Sequence, residues 1–299
     1  MKLWDKIVDN FKQGSMLTRL IYINLGVFVV IRLLMALITI TGNNPDVILD
    51  WLALPANTDI LLTRPWTLIT TMFVHYHFFH ILFNLIALYF FGLMFTRYLS
   101  EKRLLAVYII GGLAGGVAYL IAYNSFPSLI IGNTAASVIG ASAAIYAIMV
   151  AIAIMAPNMK VYIPLISTVE LKWLVLGFIF IDLISIPAGA NIGGHIAHLG
   201  GALFGLLFAY QHKQGKDITQ WFDKLIQWLK GLSKPRQRMH VSYKNTSRKG
   251  RPETDMEYNA RKKKEQDEIN RILDKVSNSG YDSLTKREKE LLFKNSNKK

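Results

Sequence analysis

An all-α polytopic membrane protein, a bundle of six transmembrane helices with both termini cytoplasmic and a basic cytoplasmic tail, is the fold class this sequence predicts. Three observations lead there. The 299 residues are 52% hydrophobic, with a mean hydropathy of +0.28, yet the formal charge is +14. Charge and apolar surface are segregated: residues 213–299 hold 23 Lys/Arg against 12 Asp/Glu, a net of +11, whereas 1–212 carry only +3. No Asp, Glu, Lys or Arg lies between Arg103 and Lys160, or between Asp182 and Lys213, and runs of that length are read as membrane spans. The composition excludes a soluble single domain, a disulfide scaffold and a disordered chain. With no cysteine, thiolate catalysis, iron–sulfur clusters and Cys-ligated zinc are excluded as well. No short apolar core with a small-residue cleavage site stands at the start, so no cleaved signal peptide is expected.

Taken in order, residues 1–17 begin with an amphipathic stretch. Leu3, Trp4, Ile7, Val8 and Phe11 share helical spacing, with Asp5, Lys6 and Asp9 opposite, which suits a helix in the membrane interface. The six-span core occupies 18–212, with spans near 18–41, 76–97, 104–125, 134–156, 168–187 and 191–211. Positive charge orients them. Lys2, Lys6, Lys12 and Arg19 precede the first span; Arg97, Lys102 and Arg103 separate the second from the third; Lys160 and Lys172 separate the fourth from the fifth. The opposite connections are acidic or uncharged, so both termini are expected in the cytoplasm. The second, fourth and sixth spans then run from outside to inside, and their starts share one depth.

The remainder follows the basic character of the tail. Residues 213–233 repeat the amphipathic pattern through Ile218, Trp221, Phe222, Leu225, Ile226 and Leu229. Residues 234–260 read as a flexible basic linker. Residues 261–299 read as a small helical hairpin: Ile269, Ile272, Leu273 and Val276 mark one helix, Gly280 stops it, and Thr285 with Glu288 forms a capping box for the next. Beside a membrane, this charge suits anionic lipid better than nucleic acid, and a plain solvated tail is a simpler reading than either.

Polar groups within spans are costly and need a reason. Five of the seven histidines, His75, His77, His80, His195 and His198, gather at the outer ends of the second and sixth spans, and Ser142 lies in the fourth. A serine hydroxyl is a weak nucleophile until a base lies within hydrogen-bond reach, and a histidine is such a base near neutral pH. Ser142 and His198 fall at comparable depth. Taken alone, each is more readily a packing residue than a catalytic one. Gly201 and Gly205 lie on one face of the sixth span and permit close helix approach. Tyr146, one turn after Ser142, either holds the imidazole or is an ordinary interface tyrosine. His80 and Asn84 share a face. They are donors for a developing oxyanion together with the Ser142 N–H, or else an Asn–His pair that satisfies itself. Arg32 and Asp182, each near the middle of its span, read either as a buried pair or as side chains that snorkel toward the interface.

These pieces together resemble a rhomboid intramembrane serine protease over roughly residues 60–210: Gly140-Ala141-Ser142 with Tyr146, Ala197-His198 with Gly201 and Gly205, His75 with His80 and Asn84, and Trp66 in the outer loop. The resemblance implies Ser142 as nucleophile, His198 as general base, His80 and Asn84 as oxyanion donors, and Tyr146 stacked on the base, with no carboxylate third member. It further implies a partly buried outer loop over 42–75 and a fourth helix that begins near Ser142. The family pattern of glycines three and seven residues after the base selects His198 over His195. Two positions depart from that pattern: Ala143 replaces a glycine after the nucleophile, and Thr67 replaces an arginine after Trp66, with Arg64 available as a substitute anchor.

The leading reading is therefore a serine endopeptidase that cuts transmembrane segments of membrane-protein substrates through an acyl-enzyme, needing neither metal nor other cofactor. It would sit in a bacterial inner membrane with its active site toward the outer face, contacting lipid but no nucleic acid. Two rivals differ in class. A histidine-bound zinc site would leave a use for His77 but has no intramembrane carboxylate or thiol beside it. A non-catalytic client binder would not need both Ser142 and His198.

Overall fold

The computed structural model describes residues 3–129, 136–163, 167–189, 191–232 and 253–296. Uninterrupted apolar sequence gives long helices because a helix satisfies every backbone group within its own segment. Helix α1 (Leu3–Gln13) leads into α2 (Met16–Ile40), whose N-cap Ser15 accepts from the Thr18 N–H. Helices α3 (Phe78–Tyr98) and α4 (Glu101–Ser125) follow, then α5 (Ser142–Met155), α6 (Leu171–Ser185) and α7 (Ile192–Lys213). Among the described residues, five helices are long and apolar enough to cross a membrane: Met16–Ile40, Phe78–Tyr98, Glu101–Ser125, Leu171–Ala188 and Ile192–Lys213.

The span expected over 134–156 is the exception. Its helix starts only at Ser142 and has 14 residues, about 21 Å at 1.5 Å per residue, against a hydrocarbon core of about 30 Å. Extended backbone precedes it. Strand β1 (Leu54–Pro55) pairs antiparallel with β2 (Ser137–Val138), Leu54 opposite Val138. Non-helical backbone at this depth is tolerated where protein partners replace water.

Helix α5 is the axis of the membrane unit. Ten of its residues, among them Ala143, Ala144, Ala147, Ile148 and Ile152, are buried, enclosed by α3, α4, α6 and α7. Glycines set the distances. A Cβ on Gly201 would stand 2.0 Å from the Ala143 carbonyl oxygen, and one on Gly205 2.3 Å from that of Ala147. Gly111 faces Ala147, and Gly115 lies between Ala143 and Ala197. By contrast, α2 and α6 expose Val30, Leu33, Leu37, Phe180, Ile181 and Ile184, as lipid-facing helices do.

Strands β3 (Lys160–Ile163) and β4 (Ser167–Glu170) form a hairpin between α5 and α6. The second amphipathic stretch is helix α8 (Gln220–Leu232), with Trp221 and Trp228 exposed. Arg103 at the start of α4 holds it through ion pairs to Asp217 and Asp223.

Residues Arg236–Lys299 form a second unit. Its helix α9 runs Asp255–Ser279, longer than the 269–276 pattern suggested and reaching into the expected 234–260 linker. The cause is a second capping box: the Thr254 hydroxyl accepts from the Glu257 N–H, and Glu257 accepts from Thr254. The rest of that linker, to residue 252, lies outside the described residues. Gly280, with φ 74°, ends α9, and Ile272 and Leu284 are buried. Helix α10 (Lys286–Ser296) is capped by the anticipated Thr285–Glu288 pair, and Lys275 bridges to Glu288 at 3.0 Å.

The glycine contacts give a direct expectation. Gly201→Ala forces α5 and α7 apart and should cost about 1–3 kcal/mol. Gly177→Ala on α6, where a new Cβ meets nothing within 4 Å, should leave stability unchanged or slightly raised. Denaturant unfolding of the detergent-solubilised chain compares the two.

Candidate active site

The extended approach to α5 is what exposes Ser142. Gly140 adopts φ +121°, a region open to glycine, and a Cβ there would lie 2.8 Å from the His80 imidazole. The Gly140 N–H donates to the Thr71 carbonyl at 2.8 Å, and the Thr71 hydroxyl donates to the Val138 carbonyl. The Ala141 N–H donates to His75 Nε2 at 3.3 Å. His75, in the loop before α3, has no exposed surface. Burial, aided by neighbouring His80, pushes its imidazole down to about 4, so near neutrality the ring is uncharged and Nε2 keeps the lone pair that accepts Ala141.

Ser142 is therefore the first residue of α5. Ile145 is the first residue of the helix whose N–H bonds back, to the Ala141 carbonyl at 3.0 Å; the Ser142 N–H is one of the donors a helix start leaves without an intrahelical partner. The Ser142 Oγ lies 2.6 Å from His198 Nε2. The Tyr146 ring stacks on the His198 ring, with centroids 4.5 Å apart and planes 14° from parallel. Close approach of α7 to α5 at Gly201 and Gly205 produces this geometry.

A cavity of about 540 Å³ opens over the pair, lined by residues including His77, His80, Asn84, Ser142, Asn191 and His198. Its volume is in the range of a ligand site. His80 and Asn84 thus reach the cavity that Ser142 faces. Asn84 Nδ2 donates to the His80 carbonyl at 2.8 Å, the i, i−4 bond of a buried helical amide, and its second N–H remains to donate. His80 and His75 meet edge to face at 5.0 Å. His77 begins α3 and makes no capping bond with its side chain. Asn191, in the left-handed region with φ 51°, was not singled out in the sequence. Its only signal there is its place just before the histidine-bearing helix.

Two expectations are overturned. Asp182 does not pair with Arg32. Arg32 faces the other way, toward the Tyr76 ring and carbonyl. Asp182 Oδ1 instead receives His198 Nδ1 at 2.9 Å and His195 Nδ1 at 2.7 Å. A carboxylate does accompany the base, contrary to the expected absence of a third member and to the claim that no carboxylate lies by the histidines. Sequence spacing could not show this, because the contact joins two different helices.

The outer loop over 42–75 is well anchored without arginine at position 67. Trp51 and Trp66 stack at 6.0 Å with planes 2° apart, and the Trp66 indole N–H donates to the Trp51 carbonyl at 2.8 Å. The Arg64 guanidinium caps the Trp51 face at 4.4 Å and donates to the Asp50 carbonyl. Thr67, fully buried, returns its hydroxyl to the Arg64 carbonyl. Through β1 and Ala56, whose N–H donates to the Ala136 carbonyl at 2.9 Å, the loop holds the strand that leads to Ser142.

Comparison with known proteins now fits this geometry. The Rhomboid domain family matches residues 62–214, about half the chain. The chain belongs to the rhomboid family. It is 31% identical over 208 residues to RHOMBOID-like protein 12, mitochondrial, of Arabidopsis thaliana, covering 67% of this chain and 59% of that one. It is 26% identical over 157 residues to Presenilin-associated rhomboid-like protein A, mitochondrial, of Danio rerio, and 28% over 151 residues to Inactive RHOMBOID-like protein 8 of Arabidopsis thaliana. Those two matches cover 50% of this rhomboid chain and 39% of each relative, so it spans well under two thirds of the relatives' length. Residues 253–298 match a family of unknown function (DUF6576).

Two predictions arise here. Arg64→Ala removes the cation–π contact and should lower stability by about 1–2 kcal/mol, read as faster limited proteolysis within 42–75. His75 takes up its proton only near pH 4 when folded, against an ordinary value near 6.5. As pH falls through that window the unfolded chain binds the proton preferentially, so stability declines from 6.5 toward 4. A His75→Gln variant should show a flatter decline in the same thermal-unfolding series.

Proposed function

We propose that this rhomboid-family membrane protein is a serine endopeptidase that cleaves transmembrane segments of other membrane proteins. The observation that carries the reading is the 2.6 Å contact between Ser142 Oγ and His198 Nε2 at the floor of the cavity.

In the proposed reaction, the Ser142 hydroxyl passes its proton to His198 Nε2 as Oγ attacks a peptide carbonyl. The oxygen gains negative charge and is met by donors from the Ser142 N–H, Asn84 and His80. His198 then gives its proton to the leaving amine, and the new amino terminus departs. The acyl-Ser142 ester is hydrolysed by a water that His198 deprotonates in turn. Tyr146 keeps the imidazole from rotating away. The opening lined by His77 and Asn191 gives hydrolytic water a route to the acyl ester. A substrate helix must loosen locally before its peptide bond can reach Ser142, since an intact helix shields its carbonyls.

The six-span topology, with α5 as the short fourth span, both termini cytoplasmic and the site toward the outer face, follows from the positive charge beside the spans. The same charge makes an anionic lipid surface the contact that the basic tail favours over nucleic acid. A bacterial inner membrane is the location this reading takes, although two relatives carry the word mitochondrial in their names. A relative named inactive makes the chemistry itself the point to test.

In proteoliposomes with a fluorogenic transmembrane peptide, the wild-type chain should cleave and take up a fluorophosphonate probe. Ser142→Ala should lose both, with kcat down by on the order of 10⁴-fold or more. Undiminished cleavage by Ser142→Ala overturns the mechanism, and a wild-type chain that neither cleaves nor labels indicates a client binder.

A further inference from the structure

Asp182 is a buried carboxylate, 3% exposed, on a helix whose other faces are largely apolar and exposed. Such a group is expensive in a membrane unless something is gained from it. Its Oδ1 is shared by two imidazoles, and its Oδ2 is buried with no hydrogen-bond partner among the described residues. One of those imidazoles is the very ring that contacts Ser142. We propose that Asp182 is a positioning residue that completes a Ser142–His198–Asp182 triad, with His195 bracing the carboxylate from the same face of α7. This rests on the serine-protease reading.

Hydrogen-bond chemistry gives the role. An ionised carboxylate only accepts, so His198 Nδ1, at 2.9 Å, must carry a proton. A neutral imidazole protonated on Nδ1 has its lone pair on Nε2, and Nε2 is the atom 2.6 Å from Ser142 Oγ. The tautomer able to accept the serine proton is thus selected before substrate binds. The carboxylate also faces the ring that becomes cationic during attack, in surroundings where charge interactions are weakly screened. A tie that served only to join α6 to α7 could run through His195 alone, at 2.7 Å; here a second bond runs through the base itself. His195 and His198, three residues apart, share a helix face, and their rings meet edge to face at 6.1 Å. The Tyr146 phenol lies beside the same carboxylate, so among the described residues the titratable groups that face Asp182 are His195, His198 and Tyr146.

A metal is the competing use of these atoms. Asp182, His195 and His198 each place one ligand atom within 4.8 Å of the others. The N···O separations of 2.7 and 2.9 Å are those of hydrogen bonds, whereas ligands about 2.0–2.2 Å from a tetrahedral zinc stand roughly 3.3 Å apart.

The test uses the full chain in proteoliposomes, with kcat and KM measured for wild type, Asp182→Asn and Asp182→Glu, and ¹⁵N-histidine NMR of wild type and Asp182→Asn. Asparagine keeps the shape but can donate to Nδ1, which favours the wrong tautomer. Asp182→Asn is expected to lower kcat by about 10²–10⁴-fold, with KM changed only a few-fold, and to move the His198 proton to Nε2. Asp182→Glu should restore part of kcat. Wild-type kcat in Asp182→Asn, or a rise in KM alone, overturns the triad. If Asp182→Asn fails to fold, the wild-type tautomer decides: His198 protonated on Nε2 overturns it. Loss of wild-type activity to a chelator, regained with zinc, overturns it in favour of a metal. The NMR arm needs no turnover. A chain without peptidase activity but with Nδ1-protonated His198 would sink the protease reading and leave the Asp182 bond standing; the reverse pattern would sink the triad alone.

Discussion

Close approach of α7 to α5 is the constraint on which the rest of the membrane unit depends. Within a bilayer, helices are not driven together by the hydrophobic effect, since lipid is as apolar as leucine; packing surface decides. Gly201 and Gly205 let α7 lie directly on the carbonyls of Ala143 and Ala147. With larger residues the axes would separate by an ångström or more, and the 2.6 Å contact from His198 to Ser142 would be lost. The stacking of Tyr146 on His198 depends on the same approach. The four glycines at 111, 115, 201 and 205 bury no side chains, yet they determine where the reactive ones meet.

A second constraint operates at the outer end of α5. A full-length span would bury the Ser142 hydroxyl within a continuous helix. Here the chain is extended until Ala141, and its backbone groups are satisfied one at a time: by β1, by the Thr71 carbonyl and hydroxyl, and by neutral His75. Those partners come from the outer loop, which is held by the stacked Trp51 and Trp66 with Arg64 above. The loop is therefore part of the site's support. The shortness of α5, the burial of His75 and the polar contacts of the loop are three consequences of starting a helix inside a membrane-depth cavity. Thr67, in place of the arginine of the family pattern, is fully buried against Arg64, and the guanidinium three residues earlier takes up the anchoring.

The spans were legible because hydropathy and flanking charge are local and strong. Helices α2, α3, α4, α6 and α7 begin and end within a few residues of the expected limits. The start of α5 was not legible from hydropathy and came from the family resemblance, since Val138 and Ile139 are as apolar as a span requires and only the pairing of Ser137 and Val138 with β1 makes that stretch extended. Helix α9 was expected too short because its N-terminal half is polar, and polar sequence looks like linker until the Thr254–Glu257 cap is noticed. The Arg32–Asp182 pairing failed for a different reason: opposite charges at mid-span attract on paper, but rotation about each helix axis decides which neighbours they face.

By itself, the sequence determined that the chain enters a membrane, roughly where each helix runs, and that a serine and several histidines gather near one depth, because these depend on side-chain type and on spacing along a single segment. The family resemblance added His198 as the partner of Ser142 and a fourth helix that starts near the serine; only the tertiary structure decided how closely that pair meets, how Tyr146 lies on the ring, and that Asp182 lies behind the base. Each of those is a contact between helices, governed by axis separation and rotation, and no period within one segment encodes either.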